Sequence, residues 1–400
     1  MAVPRTRPGG PAILSYGFRP FFLVGSLYAG LTILFWLPLF YGHVETFSVF
    51  APVDWHIHEM LFGYLSAVVT GFLLTAIPNW TGRLPVQGMP LLALLLIWLA
   101  GRLAVFFSGE IGWIAAAAVD CSFLLAVAGA AAIEIVAGRN WRNLKVLGPV
   151  AVLLVANICF HLEVRLNGMS DMSRRLGIGA ALVLIMIIGG RIIPSFTRNW
   201  LVKANPGRLP VPFNRLDVAT IVFSAAALAA WTVSPTARAT GAILIAAAML
   251  NLVRLSRWAG DRTLSDPLVA ILHVAYLFLP IGLMLAGLAA IFPDTVPLAA
   301  AIHAFGVGVI GSMTLAVMTR ATLGHTGRDL RADPGTCAIF VAIVASAALR
   351  IVAVFLPGQT LLLHASAAAW AIAFLGYAVL FGGMLVGPKL APRQPNRAAA

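Results

Sequence analysis

Charge is scarce in this chain of 400 residues: Asp, Glu, Lys and Arg make up only 10%, whereas 60% of the residues are hydrophobic. Soluble globular proteins carry about 25% charged residues. A chain so poor in charge exposes apolar surface to lipid, so the composition excludes an ordinary soluble enzyme and predicts an integral membrane protein. The alternating segments of about ten residues that are typical of a transmembrane barrel are also lacking, and the spans are therefore expected to be helices.

Cysteine is scarce as well. Its three copies, Cys121, Cys159 and Cys337, lie far apart inside apolar segments and form no CxxC pair. This spacing argues against a disulfide framework and against thiolate metal ligands. No P-loop, HExxH or CxxCH motif is present, so any haem would be held non-covalently. No nucleic-acid partner is expected either, because the net charge of +13 is spread over short loops.

Twelve windows of about 20 apolar residues are long enough to cross a lipid bilayer. They lie near residues 19–41, 56–77, 89–107, 110–137, 144–165, 174–197, 215–234, 238–257, 266–292, 297–322, 335–356 and 360–386. With the N-terminus inside, most of the 27 basic residues fall at cytoplasmic ends and loops, as the positive-inside rule expects. The sequence therefore predicts one all-α polytopic membrane domain over residues 1–400, in the bacterial inner membrane. Both termini, a tail at 387–400 and the longest loop, from Arg198 to Asn214, are expected in the cytoplasm.

Spans two, six and ten look like copies of one another. A shift of 245 residues places His58 on His303, and a shift of 116 residues places IPNWT, from Ile77, on IPSFT, from Ile193. These matches predict three repeats of four helices, at 12–137, 138–257 and 258–386. Twelve spans in three arcs of four is also the architecture of haem-copper oxidase subunit I, an analogy of architecture alone.

Six of the eight histidines are expected near the outer face of the membrane, where ionisable groups are costly and usually functional. The predicted metal ligands are His56, His58, His161, His303 and His364. On a helix, side chains two residues apart point about 160° away from each other, so His56 and His58 should not share one metal ion. They should serve two separate centres, or one should bind a metal and the other support a ligand. Glu59 or Asp54 could orient an imidazole through its second nitrogen. The alternative for any single histidine near a helix end is an interfacial hydrogen bond.

Small and basic residues near the outer face extend the predicted site. The glycines Gly63, Gly306, Gly308 and Gly311 would allow close approach of a neighbouring helix or of a flat cofactor. Arg174 and Arg175 could pair with anionic groups such as haem propionates, or they could only anchor the interface.

Five motifs occur in order along the chain: GFRPFF (17–22), WHIHEMLFGY (55–64), GFLLTAIPNWTGRLP (71–85), GGRIIPSFTRN (189–199) and HAFGVG…MTRATLGHTGR (303–328). Together they resemble the NnrS family over essentially the whole length. The resemblance implies a twelve-span inner-membrane protein that contains haem and copper and acts in the response to nitric oxide and in denitrification. Haem b and copper are thus the implied cofactors, and His58, His303, Arg174 and Arg175 are the expected haem-binding residues.

The expected function is detoxification of nitric oxide that reaches the site through the lipid bilayer. Nitric oxide would be reduced to nitrous oxide at a His-ligated haem–metal site near the periplasmic face, with electrons from a quinol or a redox protein. Glu59 is the predicted catalytic residue, and Glu45 and Glu163 are further candidate proton donors. Two alternatives stay open. One is binding of nitric oxide or metal without turnover; the other is transport, for which only Asp120 and His273 lie deep enough in the membrane.

Overall fold

The structure, a computed structural model, describes residues 10–391, and those residues contain helices but no strand. Twelve of the helices are long and apolar enough to cross a membrane, which confirms a multi-pass, all-α membrane protein. They are named in chain order: α1 Phe18–Phe40, α2 Pro52–Thr81, α3 Met89–Phe106, α4 Trp113–Ala137, α5 Trp141–Asn167, α6 Met172–Ala204, α7 Arg215–Val233, α8 Arg238–Ser256, α9 Pro267–Ile291, α10 Leu298–His325, α11 Pro334–Phe355 and α12 Thr360–Val386.

Twelve crossings are an even number, so α1 starts and α12 ends on the same face of the bundle. This face is called the terminal face below, and the other is called the opposite face. The assignment of the terminal face to the cytoplasm and of the protein to the inner membrane stays a prediction. The tail predicted at 387–400 lies mostly outside the described residues.

Proline and aspartate define several helix starts. Pro52, Pro267 and Pro334 occupy the first turn of α2, α9 and α11, where a missing backbone N–H breaks no helical hydrogen bond. The Asp266 side chain accepts a hydrogen bond from the backbone N–H of Leu268 at 3.0 Å and so caps α9. Because these signals are local, the predicted helix starts agree with the structure to within about one turn.

The end of α6 differs from the prediction. The loop expected from Arg198 to Asn214 begins only after Ala204, because the helix continues for about two further turns. Trp200 and Leu201 extend the apolar pattern there, and the Leu201 side chain is fully buried. The prediction that residues 198–204 belong to a loop is therefore wrong.

Helices α2 and α10 lie in the interior of the bundle. Within the most apolar 18-residue segment of each helix, 83% of the segment is buried in α2 and 72% in α10, compared with 28% in α11. Each contains a π-helical segment, Glu59–Leu65 in α2 and Ala304–Gly311 in α10. The shift of 245 residues that aligns His58 with His303 also aligns the starts of these segments. Such segments are rare and are frequently found at functional sites. The threefold repeat stays a prediction; the matching segments favour the relation between α2 and α10, whereas α6 is α-helical throughout.

The first and last spans are neighbours, since α1 packs along α12 as well as against α2. Arg19, near the start of α1, donates hydrogen bonds to the carbonyl oxygens of Leu385 at 2.8 Å and Gly387 at 2.6 Å, at the end of α12. Its side chain is almost fully buried. The bundle is thus closed upon itself at the terminal face.

Candidate metal centre

A buried polar cluster lies among α1 to α5, towards the opposite face, with His58 at its centre. The His58 side chain has no exposed surface. Its Nδ1 lies 3.0 Å from Oε1 of Glu59. Its Nε2 lies 3.1 Å from Oδ2 of Asp120 and 3.0 Å from Oδ1 of Asn157. Both ring nitrogens of this histidine therefore have polar partners inside the membrane domain.

Asp120, on α4, connects His58 to a second histidine. Nε2 of His161, on α5, lies 3.0 Å from the same Asp120 Oδ2, and the two imidazole centroids are 5.2 Å apart. One ligand atom from each of the three residues lies within 4.8 Å of the other two. Two imidazoles and a carboxylate at this separation are a donor set that fits a transition-metal ion.

Arg102, on α3, joins the two carboxylates of the cluster. Its Nη1 donates to Oε2 of Glu59 at 2.6 Å, and its Nη2 donates to Oδ1 of Asp120. The Tyr28 hydroxyl, on α1, donates to the same Oε2 of Glu59. Two carboxylates thus face one guanidinium. Because an unbalanced buried charge is costly, a cation or an imidazole proton is needed to balance the remaining negative charge.

Glycine at position 63 makes room for this network. A Cβ at Gly63 would lie 2.6 Å from Oε2 of Glu59 and 2.9 Å from Nη1 of Arg102. On α10, a Cβ at Gly308 would lie 2.5 Å from Cγ of Phe278. The sequence predicts that these glycines allow close approach of a neighbouring helix or of a flat cofactor. Gly63 and Gly308 fulfil the first role, because side chains of neighbouring helices occupy the space beside them.

Three phenyl rings enclose His58. The ring centroids of Phe50 and Phe62 each lie 5.1 Å from the His58 centroid, and that of Phe160 lies 5.3 Å away. An enclosure of this kind excludes water and strengthens the electrostatic interactions inside it. It fits a single ion between His58 and its partners. The haem contact expected at His58 stays a prediction.

His56 points into a different cluster, although it is only two residues from His58. Its ring packs against Trp36 with centroids 4.4 Å apart. Its Nδ1 is buried and has no hydrogen-bond partner among residues 10–391. His303 and Arg350 lie close enough to act on it electrostatically. The two side chains diverge as their spacing predicts, and the structure brings His56 towards His303 and brings His58 towards His161.

The remaining predicted site residues make other contacts. His364 is exposed, and its ring stacks on Tyr41 with centroids 5.5 Å apart. Arg174 and Arg175 both donate to the carboxylate of Asp171, in the turn before α6. The hydrogen bond from Arg175 holds the pKa of Asp171 below its usual range. The two arginines expected to meet haem propionates thus pair with a carboxylate of the chain itself.

Sequence reasoning does not single out Arg102, Asn157 or Tyr28, and it considers Asp120 for transport alone. A signal for three of them is present, because Arg102, Asp120 and Asn157 are strongly polar residues within otherwise apolar spans. Such residues usually face the interior of a bundle and pair with one another. Weighing every polar residue inside the spans, and not only histidine, would have found them.

The fold and the cluster define a multi-pass helical membrane protein with a buried histidine–carboxylate group suited to a metal ion. Within that class the chain belongs to the NnrS family, since the family model described as NnrS protein matches residues 12–389. No match was found among curated proteins. Membership supports a membrane protein of the nitric oxide response, and together with the His/Asp cluster it suggests a metal-binding protein.

Proposed function

We propose that this protein binds a copper ion through His58, Asp120 and His161 and uses that centre to bind nitric oxide within the membrane. The observation that carries the proposal is the convergence of two imidazole nitrogens on one carboxylate oxygen, at 3.1 and 3.0 Å. The family resemblance supplies the identity of the metal and of the gas.

The hydrogen-bond network supports a cation at this point. If Glu59 accepts the N–H of Nδ1 of His58, the lone pair on Nε2 of the neutral ring faces oxygen atoms of Asp120 and Asn157. Lone pairs that face one another repel, whereas a metal ion attracts all of them. Glu59 then fixes the tautomer and the orientation of the ring, as carboxylates beside metal-bound histidines commonly do.

The surroundings suit a small apolar gas. Imidazole and carboxylate ligands accept copper, iron and zinc, so the choice of copper rests on the family. A bound copper ion would supply a site to which nitric oxide can coordinate. The phenyl rings of Phe50, Phe62 and Phe160 keep water away from His58. Nitric oxide dissolves in lipid and could enter from the side of the bundle.

Metal analysis of the purified full chain tests the proposal. Asp120→Asn and His161→Ala should each lower the copper content at least about tenfold, because each removes one ligand. His364→Ala changes an exposed histidine and should leave the copper content unchanged. Nitric oxide binding, followed by electron paramagnetic resonance of the copper, should fall in parallel. Size-exclusion profiles identify variants that misfold. Wild-type copper content in both well-folded ligand variants would overturn the proposal.

Reduction of nitric oxide is the second candidate function, and the neighbouring pair His56 and His303 favours it because the reaction needs a second redox centre. Two molecules of nitric oxide, two electrons and two protons give one nitrous oxide and one water. The electrons would come from a quinol or a redox protein, and haem b is the second cofactor that the family resemblance implies. Nitrous oxide formation under reducing conditions tests this function; fully loaded protein without turnover would exclude it.

Transport receives less support. The Asp120 side chain is bound within the His58 cluster, whereas Nε2 of His273 lies 2.8 Å from Oγ1 of Thr197 between α9 and α6. The two groups that sequence reasoning offers for transport therefore belong to different contacts.

A further inference from the structure

A cavity of about 1060 Å³ opens towards the terminal face, at the other end of the bundle from the His58 cluster. Helices α2, α6 and α10 form most of its wall. Four cationic side chains line it, Arg191, Arg198, Lys203 and Arg320, whereas Asp266 is the single carboxylate among its described lining residues. Such an excess of positive charge around a concave space concentrates anions.

Equivalent positions of three helices build this wall. Thr75, Arg191 and Arg320 are related by the shifts of 116 and 245 residues, and all three line the cavity. The same shifts relate three further sets of lining residues: Phe72 with Ile188 and Val317, Ala76 with Ile192 and Ala321, and Trp80 with Phe196 and His325. Helices α2, α6 and α10 therefore surround a common axis. At one level of the wall, two of the three equivalent positions carry arginine.

Among residues 10–391, no carboxylate forms an ion pair with either of the two arginines at this level. The guanidinium carbon of Arg320 lies 4.1 Å from the ring centroid of Phe196, another wall residue. Arg191 donates to Oδ1 of Asn143 at 3.3 Å, a long bond to a neutral group. Asp266 acts on Arg320 electrostatically but forms no ion pair with it at 4.0 Å or less. Such guanidinium groups retain donors for an oxyanion.

We propose that this cavity binds an oxyanion of the phosphate class, held by Arg191 and Arg320. The planar fork of a guanidinium matches two oxygen atoms of a phosphate at once. Trp80 and Trp200, also in the wall, provide apolar surface for the remainder of a larger ligand. The phosphate headgroup of an anionic lipid and a soluble phosphate share this chemistry. The site shares no lining residue with the His58 cluster, so it is independent of the proposed copper centre.

Equilibrium binding to the full chain in a neutral detergent tests the proposal. The probes are radiolabelled inorganic phosphate and short-chain phosphatidylglycerol. We expect saturable binding of at least one probe; phosphate alone identifies a soluble ligand, and phosphatidylglycerol alone identifies a headgroup. Arg191→Gln and Arg320→Gln should each weaken binding at least about tenfold, and Arg320→Lys, which keeps the charge, should weaken it less. Arg215→Gln alters an exposed arginine outside the wall and should bind as the wild type does.

A milder variant guards against loss of folding. Asn79→Asp adds a negative charge at an exposed wall position with almost no change in shape, and it should weaken binding at least about threefold at low salt. An unchanged thermal unfolding temperature and unchanged size-exclusion behaviour show that a variant is folded. Absence of saturable binding of both probes to the wild type would overturn the proposal, and so would equal affinities for the wild type and the folded Arg191→Gln, Arg320→Gln and Asn79→Asp variants.

Discussion

The guanidinium of Arg254, on α8, occupies the space that any side chain at Gly190, on α6, would need. A Cβ at Gly190 would lie 1.8 Å from Nη2 of Arg254. Arg254 is fully buried, pairs with Asp217 of α7 at 3.0 Å, and donates to the hydroxyl of Tyr276 of α9 at 2.8 Å. One arginine thus ties four helices together, and the absence of a side chain at residue 190 permits it.

Gly190→Ala should therefore destabilise the protein by about 1–3 kcal/mol, because the new methyl group forces Arg254 away from its partners. Thermal unfolding in detergent, followed by circular dichroism, measures the change. Gly129→Ala is the matched control, since a Cβ at that α4 position meets no atom within 4 Å. The control should change stability by less than about 1 kcal/mol, and in the favourable direction, because alanine prefers the helix. Equal melting temperatures for the two variants would contradict this account.

Arg102→Gln tests whether the charge between the two carboxylates positions the metal ligands. With His58, Asp120 and His161 all intact, copper affinity should still fall about 10–100-fold, because the variant no longer holds Glu59 and Asp120 in place. Competition with a chelator of known affinity measures the fall. Arg83→Gln breaks an exposed ion pair with Glu134 and should have no effect. An unchanged copper affinity and paramagnetic spectrum in Arg102→Gln would show that the guanidinium has no positioning role.

His56→Ala tests the separation of the two histidine clusters. Because His56 packs on Trp36 and points away from His58, its loss should leave the copper content and the paramagnetic spectrum of the His58 centre as they are in the wild type. His161→Ala, in the same experiment, should abolish that spectrum. A joint loss in both variants would mean that the two clusters act as one centre.

The ion pair before α6 predicts a dependence of stability on pH. The pKa of Asp171 is lowered, chiefly by the hydrogen bond from Arg175, so its carboxylate stabilises the fold at pH values above the ordinary value of about 3.9. That contribution is lost as the pH falls through the lowered pKa. Asp171→Asn should melt at a lower temperature than the wild type at neutral pH, and the difference should shrink upon acidification. A difference that is constant with pH would rule out the charged pair as its source.

The spans can be predicted because a lipid bilayer selects for hydrophobicity summed over about 20 residues. The helix starts can be predicted because capping depends on residues that are close together in the sequence. The end of α6 could not be placed in the same way. Arg198 and Lys203 resemble loop residues in sequence, yet they lie on a helix that continues to Ala204 and line a cavity. A polar residue near the end of a span can face an interior space as readily as it can face solvent.

Only part of the candidate site could be predicted. The sequence predicts that Glu59 or Asp54 orients an imidazole, and in the structure Oε1 of Glu59 lies 3.0 Å from Nδ1 of His58. Arg102, Asp120 and His161 come from three other helices, and spacing along the chain does not say which faces of apolar helices meet. The same reason explains why the five histidines predicted as metal ligands separate into one pair at Asp120, one pair near Arg350 and the exposed His364.

The bonds from Arg19 to the carbonyl oxygens of Leu385 and Gly387 bear on biogenesis. A chain is synthesised from its N-terminus, so α1 is in the bilayer long before α12 leaves the ribosome. Until then the guanidinium of Arg19 lacks the partners that it has in the finished bundle. Ribosome-stalled chains that stop before residue 385 should therefore keep Arg19 open to the translocon or to lipid headgroups, and the contact between α1 and α12 should form only after α12 has been synthesised.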